Sequence, residues 1–168
     1  FQGKVANFRT ISGGNFQREV TNFGTISGGT FQGNVDNWGT ISNGTFQGGV
    51  YNGGTISNGI FQRTVGTCKT ISGGTFEEVV EVYASSRREA TIEGGTFEKG
   101  MNLKNHDASI TIKDGLFDGD VATEYCNSPL SISGGLFTKA VDVSNISPIN
   151  LSITGGYFVS KPTAVSYT

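Results

Sequence analysis

The chain has 168 residues, 26 of them Gly, with a net charge of −2 and only one His, one Trp and one Met. Glycine at this density without a three-residue period excludes a collagen helix and points to turns repeated at fixed places. The near-neutral charge excludes a global field for nucleic acid or an anionic membrane, and no apolar run approaches the length of a membrane span.

Phenylalanine recurs every 15 residues at Phe1, Phe16, Phe31, Phe46, Phe61 and Phe76, then at intervals of 20 or 21 at Phe97, Phe117, Phe137 and Phe158. From Phe16 onward each is preceded five residues earlier by an isoleucine: Ile11, Ile26, Ile41, Ile56, Ile71, Ile92, Ile112, Ile132 and Ile153. A fixed period of this length marks a stacked repeat architecture. The chain opens inside a repeat, with Phe1 already in its column, and no signal peptide is visible. The expectation is a fragment of a longer repeat protein.

Residues 25–39 serve as the model unit. Thr25 and Ser27 flank an inward Ile26, Thr30 and Gln32 flank an inward Phe31, and Val35 and Asn37 point inward around an outward Asp36. This alternation has the period of two that strands require. Three short strands with a corner after each close a triangular coil. Gly-Gly pairs such as Gly28-Gly29 occupy the first corner, and Asn43-Gly44 and Asn58-Gly59 replace them in two coils. The substitution by Asn predicts a corner with positive φ. Glycine pairs this frequent exclude helices. One coil cannot cover its own Ile, Phe and Val, so coils must stack. The fold class is all-β, a parallel β-solenoid whose coils widen from 15 to 20 or 21 residues. Residues 1–168 form one solenoid, narrow over 1–75 and wider over 76–168.

Asn7, Asn22, Asn37 and Asn52 fall in one column. Inside the solenoid their amides would bond along the axis; alternatively they are turn residues in water. In the wider half this column becomes Val82, Leu103, Thr123 and Val143, and a further apolar position appears at Ala90, Ile110, Leu130 and Leu151. Cys68 and Cys126 lie three coils apart, roughly 14 Å along the axis at strand spacing, beyond disulfide reach; they read as free thiols in slack positions. Lys161 and Pro162 discourage strand addition at the C-terminal end. The N-terminal coil has no such protection, which leaves end-to-end self-association open there.

The tract Ile71-Ser-Gly-Gly-Thr-Phe76, varied at Ile26–Phe31, Ile92–Phe97, Ile132–Phe137 and Ile153–Phe158, resembles the repeat of large adhesin-like cell-surface proteins of Gram-positive gut bacteria. The stretch from Ile153 to Ala164 is similar to the way those arrays end. The resemblance implies an extracellular stalk on the cell surface, with host or microbial glycans or proteins as partners. It brings no catalytic residue.

Three surface features are weighed for chemistry. Phe8, Phe23 and Trp38 share a column, with Tyr51 close by. Facing outward, they form a strip for sugar rings; facing inward, the more ordinary arrangement, they plug a corner. Arg9, Arg18, Arg63 and Lys69 in the same half would add contacts to acidic glycans; residues 1–70 hold five basic residues against two acidic ones. Thr10, Thr25, Thr40, Thr55 and Thr70 align with Ser12, Ser27, Ser42, Ser57 and Ser72, a Thr-x-Ser array similar to those of ice-binding solenoids, although Thr also simply suits exposed strands. Polysaccharide lyases and hydrolases also use parallel β-helices, but need converging carboxylates. Here Glu77, Glu78, Glu93, Glu98, Asp107 and Asp114 are scattered, and His106 has no evident partner. Asp114, Asp118, Asp120 and Glu124 are the densest acids, weak candidates for Ca²⁺ with neither EF-hand nor β-roll spacing. The expectation is therefore a non-catalytic interaction module with no cofactor, ice binding as the alternative and a polysaccharide-active β-helix third.

Overall fold

The computed structural model describes residues 1–84, 88–105 and 107–164. Each narrow coil contributes one short strand to each of three parallel sheets, as in Thr25–Ile26, Thr30–Phe31 and Val35–Asn37. The sheets contain ten, nine and nine strands, and each strand pairs with its equivalent one coil away. Register is strict: Ile26 faces Ile41, Phe31 faces Phe46, Val35 faces Val50 and Asn37 faces Asn52. The fold is a parallel β-solenoid.

The register follows from burial. A slip of one residue would expose every Ile, Phe and Val and bury the Thr between them. The Ile, Phe and Val columns form a single apolar core along the rod. From Phe1 to Phe158 the rings of the Phe column stack nearly parallel, with successive centroids 4.5–4.9 Å apart. That interval is the spacing of paired strands, so the backbone ladder dictates the stacking. Each buried Phe contributes about 1.5–3 kcal/mol relative to exposure.

The asparagine column lies inside. Asn22, Asn37 and Asn52 are fully buried. Asn7 Nδ2 donates to Asn22 Oδ1 at 2.6 Å, Asn22 to Asn37 at 2.6 Å, and Asn37 to Asn52 at 2.7 Å. The ladder ends on Thr67, whose Oγ1 accepts from Asn52 at 3.1 Å. Each amide also donates to corner carbonyls, Asn37 to those of Gly39 (3.2 Å) and Thr55 (3.4 Å). A buried polar row is tolerated because its members satisfy one another.

The positive φ falls on the second residue of the first corner, as at Gly44 (138°) and Gly59 (133°). This corrects the reason for the Asn substitutions. Asn43 and Asn58 stand at the first position and have no positive φ; their Oδ1 atoms accept the N–H of Gly44 and Gly59, each at 2.9 Å. The invariant element of the corner is therefore its second glycine.

Beyond residue 76 the Val-bearing strand lengthens. Val80–Ala84 pairs with Met101–Asn105 over five residues, and Ala90–Ile92 pairs with Ile110–Ile112. Thr67 faces Val82, and Val82 faces Leu103, so the polar column turns apolar in unbroken register. All three sheets run through both halves. Cys68 and Cys126 are free and both buried. The slack positions expected for them are not found: Cys126 Sγ donates to the Leu103 carbonyl at 3.2 Å, and burial pushes its thiol pKa up.

Candidate functional site

The aromatic column faces out. Phe8 is 72% exposed and Trp38 42%, and Phe23 and Tyr51 are exposed as well, which overturns the corner-plug arrangement. The reason is local. Asn7, Asn22 and Asn37 end the Val-bearing strands pointing inward, so the next residue in the alternation, Phe8, Phe23 or Trp38, points to solvent. Tyr51 lies mid-strand between inward Val50 and Asn52 and shares its outward column with Asp36 and Gly66.

The four rings do not form a uniform strip. Phe8 and Phe23 stack on each other at 5.2 Å with planes 9° apart, so they cover each other's faces and offer mainly edges. Trp38 and Tyr51 are tilted by 60° at 5.6 Å. The indole lies over Gly53, where a Cβ would stand 2.6 Å from Cε3 and Cζ3. Glycine at that place is what lets the ring lie down.

Two residues not anticipated from sequence complete this patch. The Arg88 guanidinium sits 5.6 Å from the Trp38 ring centroid, a cation–π arrangement. Its Nη1 also donates to Cys68 Sγ at 3.8 Å, and the Tyr51 hydroxyl lies 3.5 Å from the same sulfur. The contact with Cys68, with partial burial behind it, holds the Tyr51 phenol above its usual pKa. Arg88 lies in the irregular link between strands, where the fifteen-residue spacing is lost. The repeat offers no signal there. Cys68 was detectable, since it occupies the Trp38 column two coils on.

The basic residues do not converge. Arg9 and Lys69 occupy the ends of one corner column whose intervening members are Gly24, Gly39 and Gly54, while Arg18 and Arg63 flank Gly33 and Gly48 at another corner. All four are exposed.

The Thr-x-Ser rows are in register. Thr10, Thr25, Thr40, Thr55 and Thr70 pair in sequence, and the column continues through Thr91 and Thr111 to Ser131 and Ser152. The serines are less free. Ser27, Ser42, Ser57 and Ser72 donate their hydroxyls to the carbonyls of Ile11, Ile26, Ile41 and Ile56 at 3.2–3.4 Å. Ser12 is exposed in the first row. Further along, Glu93 and Lys113 interrupt this column and pair with each other at 3.0 Å.

The acidic candidates are not brought together. Asp114 Oδ1 accepts the Gly115 N–H at its own corner (2.8 Å), and Asp118 accepts from Thr138 (3.1 Å). Asp120 accepts the Ala140 N–H at 3.1 Å, and Glu124 pairs with Lys104 at 3.1 Å. Their closeness in sequence is spent in turning round the coil, which sends them to different edges. Among the described residues no three His, Cys, Asp or Glu side chains are placed to hold a metal ion. His106 lies outside the described residues. No family model, curated protein or solved structure matches the chain.

Proposed function

We propose that the chain is an extracellular interaction module, an adhesin-like solenoid segment of a bacterial surface protein, that contacts glycans or proteins through its exposed aromatic edge. The single observation behind this reading is that Phe8, Phe23, Trp38 and Tyr51 face solvent on one edge although the fold already has its Phe column inside. Exposed aromatics grouped in this way mark contact surfaces. Trp38 and Tyr51, tilted and flanked by Arg88, are the part that best suits a sugar ring, because the two rings do not stack face to face on each other. The I-S-G-G-T-F resemblance supports the surface location. A glycan array probed with the wild type and with the Trp38→Ala, Tyr51→Ala double variant tests the reading. Binding should be lost in the variant; binding that survives both changes removes the aromatic edge as the contact.

A second reading rests on the register of Thr10, Thr25, Thr40, Thr55 and Thr70, which presents equally spaced hydroxyl and methyl groups for ice binding. The serine rows weaken it, since Ser27, Ser42, Ser57 and Ser72 donate to backbone carbonyls. Thermal hysteresis at high protein concentration decides between the two; none at all disposes of ice binding.

A further inference from the structure

We infer that a slot on the outer face of the Val-bearing sheet, between Tyr51 and Tyr83, is a subsite for one neutral pyranose unit of a glycan. This deepens, and rests on, the glycan-contact reading above.

The slot exists because of one residue. Asp36, Tyr51, Gly66 and Glu81 form a continuous outward column, and Gly66 is the member without a side chain. A Cβ placed there would lie 3.5 Å from Tyr83 Cε2 and 3.8 Å from Tyr51 Cδ2. Both distances are ordinary van der Waals contact, so the edges of the two rings border a stretch of bare backbone at Gly66 that opens outward to solvent. No positive φ requires glycine at this position. Strand glycine without a conformational reason weakens a sheet and often marks a place where something approaches the backbone closely. The depression is shallow and open to solvent, about 310 Å³, so a sugar unit would rest on it with one side in water.

The lining selects the ligand. Asn34, Asp36 and Thr64 share the hollow with the two tyrosines. Asn34 Oδ1 accepts the Gly49 N–H at 3.0 Å, which fixes the amide and leaves its Nδ2 donors to spare. The Asp36 carboxylate makes no ion pair or hydrogen bond among the described residues, so its acceptors are unused. Lys104 Nζ lies 5.5 Å from the Tyr83 ring centroid and steadies the ring from outside the slot. Aromatic rings flanking spare donors and acceptors suit a molecule with C–H faces and hydroxyl edges, which is a sugar. Among the described lining residues the ionised group is the Asp36 carboxylate, which interacts only at a distance with Lys4 and disfavours uronic or sulfated units over neutral ones.

The test uses substitutions that fill the slot or remove its acceptor and leave the core alone. Gly66→Val adds a strand-favouring side chain on the solvent face, so its melting temperature should equal or exceed that of the wild type. Saturation-transfer NMR and calorimetry with β-1,4-linked hexamers of glucose, mannose and xylose, and with an oligogalacturonide, give the readout. The wild type should bind at least one neutral hexamer and not the uronide, and Gly66→Val and Asp36→Ala should each weaken that binding tenfold or more. If the wild type binds and only Trp38→Ala weakens it while Gly66→Val binds normally, the subsite is overturned and the aromatic-edge reading stands. Preference for the uronide likewise overturns the subsite alone. If the wild type binds no glycan, both fall.

Discussion

The narrow coils of residues 1–75 and the wide coils beyond them bury the same Ile, Phe and Val columns but treat the inward position two residues past Val differently. In the narrow half it is Asn7, Asn22, Asn37 and Asn52, laddered together and ending on Thr67; in the wide half it is Val82, Leu103, Thr123 and Val143, all buried and three of the four apolar. The difference tracks the corner. In a narrow coil the strand ends at this residue, and the turning backbone leaves carbonyls inside the rod that the amide must satisfy. In the first wide coils the strand runs on, as in Val80–Ala84 against Met101–Asn105, and the ladder pairs the backbone there. At the end of one of these longer strands asparagine returns: Asn105 Nδ2 donates to the carbonyls of Ser128 (2.7 Å) and Pro129 (3.3 Å). Asn105 faces Ala84 in the preceding coil, so it has no amide ladder, and its buried Oδ1 has no partner among the described residues. Asparagine in this fold is a corner device, and the polar column is a by-product of corners that coincide.

The largest effects should come from the shared Phe column, and they should differ between halves. Phe61→Ala and Phe117→Ala each delete a fully buried ring, at about 3–5 kcal/mol. The core of the wide half includes Met101, a flexible side chain able to adapt to a hole, whereas the core of the narrow half is built of β-branched Ile and Val beside hydrogen-bonded Asn. Chemical denaturation should therefore show the greater loss for Phe61→Ala. Equal losses would mean that the two interiors are equally plastic.

Next comes the asparagine comparison. Asn37→Ala strips a donor from Asn52 Oδ1 and an acceptor from Asn22 Nδ2, and orphans the corner carbonyls. A loss of about 2–3 kcal/mol is expected, at about 1–3 kcal/mol for each group left unsatisfied and with partial compensation. Asn105→Ala removes only the carbonyl contacts and an oxygen with no partner among the described residues, so about 1 kcal/mol is expected. A cost for Asn105→Ala equal to that of Asn37→Ala would show that the ladder itself adds nothing. The first corner provides the control, because it is common to both halves. Gly59→Ala and Gly95→Ala force a side chain onto φ of 133° and 117°, and should cost the same in each half, about 1–3 kcal/mol.

These contrasts also mark how far the chain could be read from its residues. The solenoid, its three inward columns and the change of width were legible because Ile, Phe and Val recur at fixed intervals, and stacking is the one way to bury them all. The outward direction of Phe8, Phe23 and Trp38 was not. It depends on whether the alternation continues one residue past a strand end, and the sequence pattern does not show that. The Asn43 and Asn58 substitutions misled on which corner residue has positive φ, since Asn can serve through its side chain as well as its backbone. Arg88 and Tyr83 escaped because they lie past the break in period, where no column predicts a neighbour. Gly66 was visible as the gap between Tyr51 and Glu81, but its meaning needs the position of the Tyr83 ring.

The smallest expected effect separates the two surfaces. Lys104 Nζ bridges Glu81 Oε2 at 3.0 Å and Glu124 Oε2 at 3.1 Å across three successive wide coils, with the lysine side chain 23% exposed. The Glu81 carboxylate first, and Glu124 second, raise the lysine pKa above its ordinary value. A raised folded-state value means that the folded chain holds the proton more tightly than the unfolded one. The contribution is therefore complete below the unfolded lysine range, near about 10.4, and fades as pH climbs from there through the folded value. Exposure and salt screening keep it under about 1 kcal/mol at neutral pH. In the narrow half, Lys4 and Glu19 pair at 2.6 Å with side chains 78% and 40% exposed, a single bridge in open solvent. Lys104→Met should lower the melting temperature slightly at pH 7, with the gap to wild type closing in high salt and narrowing above the lysine range, while Lys4→Met leaves it unchanged. A salt-insensitive loss for Lys104→Met would assign its role to packing against Tyr83, and the wide half would then owe nothing to its charges.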